Sequence, residues 1–137
     1  IRLGLVGSEM CIRDSYNVVE IQLISLKNND KPDKDFGIEQ TWEFAHPENK
    51  INTGPLNNFK KMLKNEIYSI LLNHKDHKIE EIYNNKKIAI YDVIILGSDN
   101  FYYEFKWQVE RYDGKGSLNN CWLTTAVSNP VSLGASI

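Results

Sequence analysis

Asp92 is the residue whose setting most suggests chemistry, because it shares a strand parity with Ile88, Ile90, Ile94 and Leu96. A carboxyl group on an apolar face is paired or protonated, and a protonated acid in a pocket suits general acid/base work. The same parity could equally face solvent or a dimer partner, with Asp92 simply exposed. His74, Asp76 and His77 form a second polar cluster. Two imidazoles and a carboxylate are metal-ligand types, but their spacing matches no established site, and histidine is also favoured at a helix C-terminus. No metal and no cofactor is expected.

His46-Pro47-Glu48-Asn49, with Thr53-Gly54-Pro55, is an unusual polar segment bounded by prolines. It could line a pocket mouth through His46 and Asn49, or serve as a rigid connector. Trp107, Tyr103, Trp122 and Trp42 are candidate walls of a ligand cavity, although aromatics at strand and helix period are commonly plain core. Cys121 has no His or Cys partner nearby in sequence and reads as a small buried hydrophobe. Phosphate-cradling glycine loops, a Ser-centred nucleophile elbow and paired-cysteine metal motifs are all missing.

The elements that must position these residues begin after an unusual N-terminus. Leu5 to Ser15 back-translates codon by codon into a transposase-based library adapter ending in its mosaic end, and residues 1–4 fit an index sequence ahead of it. Residues 1–15 are therefore expected to be adapter-derived, to be set aside like a tag. The true N-terminus is then missing, and localisation stays open. On this reading Cys11 also drops out, leaving Cys121 without an intrachain partner.

From residue 16 onward the chain has the size of one domain with a real core. The net charge of −2 lacks the basic face of a nucleic-acid binder. The longest apolar run, Ile88 to Leu96, is too short to span a bilayer. Val18, Val19, Ile21, Leu23, Ile24 and Leu26 lie mostly on one side of a helix over residues 17–28, with Ser15 or Asn17 as candidate caps and Glu20, Gln22 and Lys27 placed elsewhere. A second helix is expected over residues 37–45. A third should open at Thr53-Gly54-Pro55 with Leu56, Phe59, Met62 and Leu63, and a further short helical segment should follow at Ile67 to Leu71.

After His74 the period changes to that of strands: residues 78–83, 87–96, 101–110 and 120–127, with turns at Asn84-Asn85, Gly97 to Asn100 and Asp113 to Gly116. Helices followed by an antiparallel meander of about four strands make an α+β domain over residues 16–127, and residues 128–137 read as an irregular tail.

Phe44 to Lys50, Thr53-Gly54-Pro55-Leu56, Tyr68, Leu71-Leu72 and His74, then Phe105-Lys106-Trp107 and Cys121-Trp122-Leu123-Thr124, resemble the bacterial and algal family called domain of unknown function 4864. That family usually has Ser at the position of His46 and often an acid at that of Thr125. The resemblance implies a cone-shaped fold similar to nuclear transport factor 2, a curved sheet wrapped around helices and a pocket, and no known activity. It makes His74 a structural or pocket hydrogen-bonding group. It also directs attention to a pocket acid, because cone-fold isomerases and dehydratases use one.

The leading expectation is non-enzymatic binding of a small apolar ligand or a protein partner, in a homodimer formed through the sheet. A cofactor-independent isomerase, dehydratase or hydrolase using Asp92 with His74 or Tyr103 is the alternative, and a structural or assembly subunit is a third.

Overall fold

The computed structural model describes residues 11–135. Most of the adapter-like segment, residues 1–10, lies outside the described residues. Among the described residues, the chain forms four helices, α1 (Ser15–Lys27), α2 (Phe36–Glu43), α3 (Pro47–Thr53) and α4 (Leu56–Leu63), and a 3₁₀ turn at Ser69–Leu71. Five strands follow: β1 (Asp76–Asn84), β2 (Ile88–Leu96), β3 (Phe101–Arg111), β4 (Trp122–Val127) and β5 (Val131–Ala135). This is the α+β architecture expected, with helices packed on one face of a curved antiparallel sheet.

In α1 the buried positions are Ser15, Val18, Val19, Gln22, Leu23 and Leu26, one stripe at helical spacing. Asp14, rather than Ser15 or Asn17, caps this helix by accepting from the Tyr16 N–H. α2 then crosses close to the end of α1. A Cβ at Gly37 would lie 2.0 Å from the Ser25 carbonyl oxygen, so only glycine permits this approach. Buried Asn29 fixes the crossing by accepting from the Ile38 N–H at 2.9 Å. Lys64 pairs with Asp35 at 2.7 Å and Lys60 with Glu39 at 3.2 Å, tying α4 to α2.

The polar segment expected as a loop or connector is helical. Pro47 occupies the first turn of α3, where its missing N–H costs nothing, and the His46 Nδ1 accepts from the Glu48 N–H at 3.1 Å as the N-cap. Thr53 belongs to the end of α3, and Pro55 precedes α4 without a side-chain cap bond.

The sheet order is β1-β2-β3-β4, with β5 also paired to β3. β3 is long enough to take β4 along Trp107 to Arg111 and β5 along Phe101 to Glu104. Register shifts interrupt three of the ladders, and such bulges bend strands. The expectation of an irregular tail is corrected by β5. Val131 and Leu133 are both exposed on this strand, so it carries no in–out alternation for a sequence reading to detect.

The core lies between the helices and the inner face of the sheet, where Ala89, Tyr91, Val93, Ile95, Phe105, Trp107 and Val109 are buried. The expectation of a lone Cys121 is also corrected. Cys121 forms a disulfide with Cys11 across a sequence separation of 110, a closure worth roughly 4.7 kcal/mol in the chain-entropy account. The Ile12 carbonyl accepts from the Trp122 N–H at 2.8 Å, and the Ser15 hydroxyl meets that of Tyr91 at 2.6 Å. The expected boundary after residue 15 therefore falls inside packed structure. Among the described residues, no helix is long and apolar enough to cross a membrane.

Candidate functional site

A cavity of about 260 Å³ lies between the helices and the inner face of β3 and β4. The strand register places Trp107 and Thr124 on its sheet side, and a bulge opposite Gln108 and Val109 adds Thr125. α1 supplies Gln22 and Leu26, α3 supplies Asn49 and Thr53, and α4 supplies Phe59, Met62 and Leu63. The segment between α2 and α3 is held to β4 by two backbone bonds, Thr124 N–H to Phe44 carbonyl at 2.8 Å and His46 N–H to Thr124 carbonyl at 2.7 Å. That attachment places α3 over the cavity. The Asn49 side-chain amide then donates to the Thr124 carbonyl at 3.3 Å.

One end of the cavity carries a buried polar network. The Trp107 indole N–H donates to Gln22 Oε1 at 3.0 Å and to the Thr124 hydroxyl at 3.3 Å. The Thr124 hydroxyl donates to the same Gln22 oxygen, and Gln22 Nε2 donates to the Thr41 carbonyl at 2.9 Å. An indole nitrogen can only donate and a carbonyl can only accept, so the Gln22 amide has one possible orientation. Its Nε2 keeps a second hydrogen with no partner in this network.

The remaining lining is aliphatic or aromatic, apart from threonine hydroxyls and Asn49. Among the described residues, Asp, Glu, Lys, Arg and His contribute nothing to it. Tyr68 is its one ionisable side chain, and burial pushes that phenol above its ordinary value, so it is neutral near pH 7. Its hydroxyl donates to the Val127 carbonyl at 3.0 Å.

Of the residues singled out in the sequence as candidates for chemistry or binding, the structure brings Trp107, Asn49 and Thr53 to the cavity, while His46, Tyr103, Trp42, Trp122, Asp92 and His74 lie elsewhere. His46 caps α3, and its ring packs at a steep angle against that of Tyr112, with centroids 5.3 Å apart. Tyr103 donates to Asp99 at 2.7 Å in the β2–β3 turn. Trp42 lies under the Lys50 ammonium, and Trp122 belongs to the core. Asp92 is on the outer face of the sheet and is ion-paired with Lys106.

His74 is only 2 % exposed and its Nδ1 lies 2.7 Å from the Leu71 carbonyl, so that nitrogen carries the proton. Its Nε2 then accepts from His77 Nδ1 at 2.8 Å. Burial pushes His74 down to about 4, with His77 and Lys27 acting in the same direction, and holds the ring neutral. This pair joins the 3₁₀ turn to β1. Among the described residues, no group of three or more His, Cys, Asp or Glu side chains is placed to hold a metal ion.

Gln22 is the central residue that the sequence reading set apart from the buried stripe. The signal was available, since Gln22 is four residues from both Val18 and Leu26 and three from Val19. A polar residue at core spacing marks a buried hydrogen-bond network.

No family model, no curated protein and no solved structure matches the chain.

Proposed function

We propose that the protein binds a small, neutral, largely apolar molecule in this cavity without transforming it. The observation that carries this reading is the lining, which has an apolar body, one buried amide and no acidic or basic side chain among the described residues. An ionised ligand would lose its hydration and meet no opposite charge, which is costly. General acid/base catalysis needs a titratable group free to reach the reacting atom; the Tyr68 hydroxyl donates to the Val127 carbonyl, and Asp92, the candidate acid, is on the other side of the sheet.

The volume sets the ligand's size. It exceeds the roughly 150 Å³ that accepts benzene and falls just below the roughly 300 Å³ at which drug-sized sites begin. A single ring or a chain of similar bulk, with one carbonyl or hydroxyl oxygen to accept from Gln22, suits it. Membership of the domain of unknown function 4864 family, with its cone shape, fits the curved sheet over helices. The role of His46 also fits, because serine, usual there in that family, is itself a favoured N-cap.

The test is calorimetric titration with octan-2-one and with octanoate at pH 7.5. The ketone should bind, and octanoate should bind at least about tenfold more weakly. Met62→Trp, which fills the cavity without removing a hydrogen bond, should abolish ketone binding. Equal affinity for the anion, or ketone binding unchanged in Met62→Trp, contradicts the proposal.

A further inference from the structure

We propose that a second copy of this chain docks face to face on the outer surface of the sheet, with the two-fold axis running along β2. The ladders place three rows across β1, β2 and β3 on this face: Lys78–Ile94–Glu104, Glu80–Asp92–Lys106 and Tyr83–Ile90–Gln108. In the first two rows, β1 and β3 carry opposite charges on either side of β2, and the sign reverses from one row to the next. A two-fold axis along β2 exchanges β1 with β3 and preserves the row. Each Lys78 then faces the partner's Glu104, and each Glu80 faces the partner's Lys106. The surface is complementary to itself.

Aligned sheets pack about 10 Å apart with a rotation near 30°. One strand spacing from the axis, roughly 4.8 Å, that rotation displaces facing residues by only about 2.5 Å, within reach of Lys and Glu side chains.

The apolar groups obey the same operation. Ile90 and Ile94 meet their own copies, and the Asp92–Lys106 pair meets its twin, with the half-exposed Lys106 still free to reach the partner's Glu80. A two-fold axis across the strands would also pair opposite charges, but it would set Asp92 on the partner's Ile94 and give up the Ile94–Ile94 contact. Tyr83 is 51 % exposed and Ile82 47 %. The axis along β2 lays the partner's Tyr83 over Gln108, in a shallow groove that also includes Ile90 and Ala126. Apolar contact supplies the affinity in this arrangement, and the charges set its register.

Sedimentation equilibrium of the full chain tests this. The wild type should dimerise, and Ile94→Glu should weaken the dimer by at least about tenfold. Ile51→Glu, at a side chain 79 % exposed on α3, should change nothing. Lys78→Glu and Glu104→Lys should each weaken self-association, because each sets like charges against one another across the axis. An equimolar mixture of those two variants should restore it, because position 78 of either chain then faces the opposite charge at position 104 of the other. Unchanged circular dichroism would show that every variant is folded. A wild type that is monomeric at all concentrations, a dimer indifferent to Ile94→Glu, or a mixture no tighter than its components overturns the proposal. Ketone binding in the cavity is a separate readout and should survive Ile94→Glu.

Discussion

The two faces of the sheet handle polar groups in opposite ways. On the inner face, the residues of β2 are almost fully buried, and the polar side chains nearby are neutral and matched donor to acceptor: Trp107 to Gln22 and Thr124, and Gln22 to Thr41. On the outer face, the alternate residues of the same strand remain partly exposed, and the polar groups are charges in opposite-sign pairs. A neutral network tolerates burial and leaves a site for a neutral ligand. A charged pattern needs water or a partner of matching sign. The sheet thus separates the neutral cavity, which lies against β3 and β4, from a charged outer face.

Substitutions on the two faces should differ sharply. Trp107→Ala removes a fully buried side chain and leaves Gln22 and Thr124 short of a donor, and should cost about 3–5 kcal/mol in urea unfolding. A loss comparable to that of a surface substitution would break the contrast between the faces.

Next in size is the acid response of the inner side. The imidazole value falls from an ordinary 6.5 to about 4 in folded His74. Below pH 6.5 the unfolded chain takes up a proton that the folded chain refuses. Stability is therefore full above about pH 6.5 and declines towards pH 4, by about 3 kcal/mol in total. Burial lowers His77 as well, which acts in the same direction. Unfolding followed at pH 7 and pH 4.5 should show the slope, and His74→Gln should flatten it.

The smallest effect belongs outside. Asp92→Asn should cost under about 1 kcal/mol, as expected of a pair with a half-exposed lysine, and should leave ligand affinity unchanged. A large loss of binding in that variant would return Asp92 to the site.

Much of the fold was legible because local periods agree with it: α1, α4 and the β2–β3 hairpin each announce themselves by spacing. The face on which Asp92 lies was legible in principle. The turn at Gly97 to Asn100 pairs Asp92 with Lys106, and β3 puts Glu104, Lys106 and Glu110 on the face opposite Phe105, Trp107 and Val109. Reading β2 alone hid this, since both of its parities are apolar. α3 was obscured because its opening proline reads as a stop for α2, and β5 because an exposed edge strand has no alternation. The disulfide was invisible once Cys11 was set aside with the adapter-like segment. The cavity itself is independent of that segment, since every residue lining it comes at or after Gln22.

The most direct test of the cavity follows the three indole N–H resonances while octan-2-one is added to the full chain. Ligand entry should move the Trp107 signal, saturably, and leave those of Trp42 and Trp122 in place. An unmoved Trp107 signal at saturating ketone, or an equal response to octanoate, would contradict a neutral-ligand site between the helices and the inner face of the sheet.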